Sequence, residues 1–344
     1  MPTPITDAPV LVTGLTGYIG SYLAADLLRR GYAVRGTMRN AQKFERVRAA
    51  LAEHAPIDKL TVAEADLLDA GSWQAAVEGV THVHHVASPF FVVQPEDPDE
   101  MIVPAREGTL NVLRAATEAG VQRVVLTSSL VAVAYGLKAP PAGSLDESHW
   151  TDTTVADDVT PYILSKTIAE RAAWDYVQDT PGAPELATVN PSLVLGPLMT
   201  DNLSASHVVV SKMMKGEMPG MPKIGFEVVD VRDVANLHVR AMEAPEAAGE
   251  RYLAAGGYRS FKQIADAIRE AAPAYRKKLP KFELPDFGMR LFALVDKEAR
   301  NVLFELGKRR TVSNAKARGL GWTPRTPEEA IAASAQALIE QGAV

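Results

Sequence analysis

The sequence predicts an α/β protein built on a doubly wound, mostly parallel sheet, and three observations carry that expectation. Short β-branched runs alternate with helical patterns of about ten to fifteen residues through the first half of the chain, the signature of right-handed crossovers. A glycine-rich turn, TGLTGYIG at 13–20, links the first of those runs to the first helical pattern. The chain has 344 residues, 47% of them hydrophobic, enough apolar side chain to cover both faces of such a sheet.

The elements follow in order. Val10 to Val12, bounded by Pro9 and Gly14, reads as a buried strand. From Ile19 to Arg30, Leu23, Leu27 and Leu28 fall at helical spacing, with Arg29 and Arg30 in the last turn and Gly31 as the stop. Tyr32 to Met38 is a second strand. Helix at Lys43 to Glu53, strand at Leu60 to Ala63, helix at Gly71 to Val77, strand at Thr81 to Val86, helix from Val103 to Ala119 and strand at Val124 to Thr127 continue the alternation. Beyond Ala187 it weakens. Thr188 to Leu195 reads as one strand, Phe226 to Val229 and Arg251 to Ala254 as short β runs expected to feed back into the main sheet, and Val234 to Met242 as the helix between them. The basic segment at 276–281 reads as a solvated loop and helix end.

Charge and composition remove several function classes. Thirty-six Lys and Arg stand against 42 Asp and Glu, a net charge of −6 with no clustered basic face of the kind nucleic-acid binders carry, so no nucleic-acid partner is expected. The absence of cysteine excludes a disulfide framework, thiolate metal ligands and a cysteine nucleophile, and fits a reducing compartment. The N-terminus MPTPITDAP has no basic stretch followed by an apolar one, and no window approaches the roughly 18 apolar residues of a membrane span. The expectation is a cytoplasmic protein with no membrane partner.

The turn at 13–20 places Gly14, Gly17 and Gly20 three apart between strand and helix. One glycine frees the backbone at the turn, a second lets a dinucleotide pyrophosphate approach main-chain N–H groups, including those of Tyr18 and Ile19, and a third permits close helix packing. An NAD enzyme is expected to place an acid at the end of strand two; here stand Gly36, Thr37, Met38 and Arg39. Arg39 and Lys43, about one helical turn apart, are suited to clamp a 2′-phosphate, which favours NADP as cofactor. Asp66 and Leu67 follow the third strand, where a carboxylate can accept from the adenine amino group; helix capping by Asp66 is the alternative.

Tyr162 and Lys166 lie four residues apart on one helical face, with Thr160 and Pro161 as start signals. A phenol titrates near 10 and works as an acid at neutral pH only beside a cation that stabilises its anion, which Lys166 supplies. Thr127, Ser128 and Ser129 end the preceding strand at the carboxyl edge, where open α/β sheets bind ligands.

Together with HVASP at 85–89, PSLVLGP at 191–197 and VVDVRDVA at 228–235, these motifs resemble the extended short-chain dehydrogenase/reductase superfamily, and within it the dihydroflavonol reductase-like group of NADPH-dependent aldehyde and ketone reductases. The similarity runs from about Val10 to Tyr252, and NAKARGLGWTPRTPEEAI near the C-terminus is also typical. The resemblance implies a Rossmann-type doubly wound parallel sheet with a smaller C-terminal substrate-binding part. Residues 1–190 are then the NADP-binding domain, with strands and a helix from about 226–255 returning to it, and 191–344 mostly the discontinuous substrate-binding part. It implies that Ser129 polarises a substrate carbonyl, that Tyr162 donates the proton and that Lys166 tunes Tyr162 and holds the nicotinamide ribose. Val86, Ser88, Thr127, Pro191 and Leu193 are implied to contact ribose or nicotinamide. A homodimer through the helices before and within the Tyr162 region is a further implication.

Two departures bear on the substrate. Flavonoid reductases carry an asparagine five residues beyond the active serine, and here Ala134 stands in LVAVAYG. The cinnamoyl-CoA branch has an NWYCYGK-like motif around the tyrosine, whereas this chain has TPYILSK, so neither dihydroflavonol nor cinnamoyl-CoA specificity is expected. The expected substrate is a small carbonyl compound of medium size, in an apolar pocket drawn from Phe90, Phe91, Val131, Val133, Tyr135, Met213 and Met214, positions that core packing explains equally well. A nucleotide-sugar epimerase or dehydratase, and a non-catalytic NADPH sensor, are the alternatives. No metal is expected: strand alternation separates His85 from His82 and His84, and Asp233 reads as a helix cap in VVDVRDVA.

Overall fold

The computed structural model describes residues 4–40, 42, 44–89, 95, 97–137, 143–200, 203–294, 296, 300 and 302–344. Its main sheet orders seven parallel strands β3-β2-β1-β4-β5-β6-β9. These are β1 (Val10–Val12), β2 (Val34–Met38), β3 (Leu60–Glu64), β4 (His82–His85), β5 (Arg123–Thr127), β6 (Glu185–Pro191) and β9 (Glu250–Ala254). Val10 pairs with Val34 on one side and His82 on the other, so the chain winds outward in both directions from the β1–β4 boundary. At such a switch point the loops after the two strands part and leave a crevice at their carboxyl ends.

Helices cover both faces. The helices α1 (Tyr18–Arg29) and α7 (Val231–Glu243) share an apolar cluster with Val10, Val12 and Val34, and the helices α3 (Ala70–Val77), α4 (Asp99–Glu118) and α5 (Pro161–Asp179) pack on Leu11, Val83 and Val124 from the other side. Between them in sequence lie α2 (Phe44–Ala52) and α6 (Ala205–Lys215). Helix α4 starts four residues before the expected Val103. Pro104 resembles a start signal, yet Asp99 and Glu100 occupy the first turn and the Asp97 carboxylate accepts from Asp99 N, so helix forms ahead of the proline.

Two strand expectations are corrected. The run Thr188 to Leu195 is divided: β6 ends at Pro191, which has no N–H to continue the ladder, and β7 (Leu193–Leu195) belongs to a second sheet. The expected return to the main sheet holds for β9 but not for β8 (Gly225–Asp230), which pairs with β7 in parallel and with β10 (Gly257–Ser260) in antiparallel fashion. This three-stranded sheet shares its own apolar cluster with α6, α8 (Phe261–Ala271) and α11 (Pro327–Glu340). Capping boxes, Ser260 with Gln263 and Thr326 with Glu329, begin the latter two helices. The short helices α9 (Asp286–Phe292) and α10 (Ala315–Gly319) complete the C-terminal part. Asp233 is not the cap of α7: Asp230 is, accepting from Arg232 N, while Asp233 accepts from the Arg325 main chain.

Candidate active site

The turn after β1 is shaped by contacts that leave no room for side chains. Gly14 adopts φ 70°, and a Cβ on Gly20 would lie 2.3 Å from the Gly14 carbonyl oxygen. Helix α1 therefore begins directly against the turn. Its N-cap, Gly17, offers no side-chain cap, and its first turn holds no acid, so the partial positive charge of this N-terminus is uncompensated and suited to an anion. Ile19 packs against the core, and the Tyr18 ring stands edge-on to His207 at 4.8 Å with its hydroxyl buried, so neither side chain enters the turn.

Thr13, which the sequence reading passed over, links this turn to the next loop of the crevice. Its Oγ1 accepts from the N–H groups of Val86 and Ala87, both at 2.9 Å, and lies 2.9 Å from His85 Nδ1. With both lone pairs used, the hydroxyl proton goes to Nδ1, which makes His85 the Nε2–H tautomer. Burial and the neighbouring Lys166 charge push that imidazole down to about 3. A threonine closing β1 just before Gly14 was the available signal.

Arg39 follows β2 and is exposed, while Lys43 lies outside the described residues. Asp66 is exposed and accepts from Leu68 N at 2.9 Å; Asp69, not Asp66, caps α3, so the capping alternative for Asp66 does not hold. The Leu67 carbonyl accepts from Asn111 of α4 at 2.9 Å, fixing the strand-three loop beside the crevice.

Ser129, Tyr162 and Lys166 converge at the carboxyl edge of β5. Thr160 caps α5 by accepting from Ile163 N and Pro161 stands at the start, as the sequence predicts, which aims the 162/166 stripe at the sheet. Ser129 caps a short 3-10 turn (Leu130–Ala132). Desolvation raises the Tyr162 phenol above its ordinary value, opposed by a hydrogen bond with Ser129, while the residue as a whole stays 40% exposed. Lys166 Nζ donates to Ser88 Oγ at 2.9 Å, and burial lowers the ammonium to about 8, with Glu170 acting in the opposite sense. Thr127 Oγ1 lies 3.0 Å from His238 Nε2, so its hydroxyl is engaged on the α7 side. Pro191 ends β6 and Leu193 begins β7, flanking Ser192, whose buried hydroxyl has no partner among the described residues.

Several expected pocket residues are core instead. Val133 and Tyr135 pack with Leu145, Ile163 and Leu253, and Met213 and Met214 are buried in the cluster of the second sheet. Val131 is partly buried at the edge of the first group, and Phe90 and Phe91 lie outside the described residues. The three histidines of β4 diverge, with His85 on Thr13, His82 on Thr81 and His84 edge-on to His238, and among the described residues no group of three His, Asp or Glu is arranged for a metal.

The crevice fits a dinucleotide on three observations: the side-chain-free cradle at Gly14 and Gly20, the uncapped N-terminus of α1, and the orphaned Ser192 hydroxyl between β6 and β7. A model of the NAD dependent epimerase/dehydratase family matches residues 10–255. The chain is 34% identical over 318 residues to cinnamoyl-CoA reductase CAD2 of Medicago truncatula, covering 92% of this chain and 91% of that protein. It is 37% identical over 272 residues to cinnamoyl-CoA reductase 1 of Petunia hybrida, 79% of each. In structure it is similar to yeast methylglyoxal/isovaleraldehyde reductase Gre2 complexed with NADPH, with a TM-score of 0.81 and 27% identity over 98% of this chain and 100% of that one.

Proposed function

The chain belongs to the NAD dependent epimerase/dehydratase family, as an extended short-chain dehydrogenase/reductase of the dihydroflavonol reductase-like group, and from that premise we propose that it is an NADPH-dependent carbonyl reductase turning a small aldehyde or ketone into the alcohol. The observation that carries this reading is the hydrogen bond of Tyr162 with Ser129, with Lys166 one turn further along α5 and bonded to Ser88, beside a crevice fitted to a dinucleotide.

In this reading the main chain of Gly14, Gly17, Tyr18, Ile19 and Gly20 holds the pyrophosphate, Arg39 and Lys43 the 2′-phosphate, and Asp66 and Leu67 border the adenine. Val86, Ser88, Thr127, Pro191, Leu193 and Lys166 surround the ribose and nicotinamide. NADPH, when bound, supplies the hydride. Ser129 donates a hydrogen bond to the substrate carbonyl oxygen, polarising it, and Tyr162 delivers its proton to the same oxygen as negative charge develops there. A phenol held above its ordinary value is protonated at neutral pH and ready to donate. The Lys166 charge then stabilises the phenolate left behind.

The substrate is inferred to be a medium-sized, largely apolar carbonyl compound, supported by the methylglyoxal/isovaleraldehyde reductase named among the structural neighbours and by Ala134 where flavonoid reductases carry an asparagine. We also infer a cytoplasmic location, supported by the cysteine-free composition, and a homodimer through α4 and α5, supported by Val103, 41% exposed on α4. Light scattering tests the dimer. The function is tested by NADPH oxidation against a panel of aliphatic and aromatic aldehydes, ketones, dihydroflavonols, hydroxycinnamoyl-CoA esters and nucleotide sugars, repeated with NADH. Turnover of simple carbonyls with NADPH is expected; turnover confined to nucleotide sugars, or silence throughout, overturns the reading.

A further inference from the structure

One turn beyond Lys166, on the same stripe of α5, Glu170 is fully buried. A buried carboxylate persists only where donors replace water, and five side chains do so here. Arg251 of β9 donates through Nε to Oε1 at 2.7 Å, Asn190 of β6 through Nδ2 to Oε2 at 2.8 Å, and Ser128 through Oγ to Oε2 at 2.5 Å. Thr188 and Trp174 add longer bonds to Oε1 at 3.2 and 3.4 Å. Arg251 is itself fixed, donating to the carbonyls of Glu147 and His149 and lying 3.7 Å above the Trp150 ring.

The geometry has two outlets toward the chemistry. Asn190 Nδ2, held by Glu170, also donates to the Ser129 carbonyl at 3.2 Å, and the neighbouring Ser128 side chain is held by the same carboxylate. On the other side Glu170 and Lys166 line one cavity of about 10 Å³ with Ser88, Thr109 and Ser128. We propose that Glu170, locked by Arg251, is a positioning residue that holds the main chain of Ser128 and Ser129 and the Lys166 ammonium in place for proton transfer. The pair thereby couples β9, contributed by the second half of the chain, to the acid–base group on α5.

This inference rests on the carbonyl-reductase reading, and its test separates the two. Lys166 is faced by Glu170 from its own helix, by His85 and Ser88 from β4 and the loop after it, by Thr109 from α4 and by Ser128 after β5. Glu170 is faced by Arg251 from β9. Removing the Glu170 charge withdraws an attraction that keeps Lys166 protonated, so the ammonium deprotonates at lower pH.

The experiment follows wild type, Glu170→Gln and the double variant Glu170→Gln/Arg251→Met across pH with the best panel aldehyde. The double variant leaves no uncompensated buried charge if the single one fails to fold. Expected is a loss in kcat of about ten- to a hundred-fold with KM for NADPH and aldehyde changed by less than about three-fold. The alkaline limb of the activity profile should also move to lower pH. An equal loss at every pH with KM rising in step marks a merely structural residue and overturns the proposal, as does wild-type kcat with an unmoved limb. A wild-type enzyme silent on every carbonyl brings down the underlying reading and the proposal with it.

Discussion

The Lys166 ammonium donates to the Ser88 hydroxyl at 2.9 Å, joining α5 to the loop after β4 across the crevice. Because burial lowers Lys166 to about 8, its charge is present below that pH and is lost as pH rises through it. The profile of kcat/KM, which reports the free enzyme, is therefore expected to fall on its alkaline side near pH 8. Ser88→Ala removes an acceptor that favours the charged form, so its limb should lie lower than wild type. A limb unmoved by that change would falsify the role given to this contact.

Tyr162→Phe keeps the ring and removes the proton. Turnover is expected to drop by about 10²- to 10⁴-fold, while NADPH affinity, measured by fluorescence titration, stays within a few-fold. Near-normal turnover in that variant assigns the proton to another group.

Arg39→Ala tests the choice of cofactor. A guanidinium on a phosphate contributes charge-assisted bonds that a bare ribose hydroxyl cannot return, so Kd for NADPH should rise by about ten-fold or more and that for NADH by far less. Equal losses for both dinucleotides refute a 2′-phosphate clamp at the end of β2.

Thr13→Val is close to isosteric and removes the hydroxyl that satisfies Val86 N, Ala87 N and His85 Nδ1. Leaving such buried groups without partners costs about 1–3 kcal/mol each in full, less where water reaches them. Urea unfolding should show a stability loss of at least about 1 kcal/mol, with weaker NADPH binding. Unchanged stability means the loop after β4 finds other acceptors.

The exposed or local features of the site were legible because short-range rules govern them. Three glycines, a Tyr and Lys four apart, and a serine pair ending a strand carry meaning in their spacing alone. The division of Thr188 to Leu195 is not legible for the opposite reason: nothing local says that the chain changes sheets at Pro191, since Ser192 N is satisfied by the Ala254 carbonyl, a partner more than sixty positions away. Met213 and Met214 likewise look the same in sequence whether they line a pocket or fill a core, and packing against Val210, Met221 and Ile224 decides for the core.

The sequence by itself determined the alternation of strands and helices, the side-chain-free turn at Gly14 to Gly20, and the identity of the acid–base pair, because hydrophobic period, backbone freedom and helical spacing are properties of neighbours. Tertiary structure alone decided which strands share a sheet, that Thr13 fastens the loop after β4, that Lys166 reaches Ser88, and that Arg251 neutralises Glu170 from 81 residues away. Those contacts join residues far apart in the chain, and burial, which sets both the Lys166 ammonium near 8 and the Tyr162 phenol above its usual value, exists only once the whole sheet is covered.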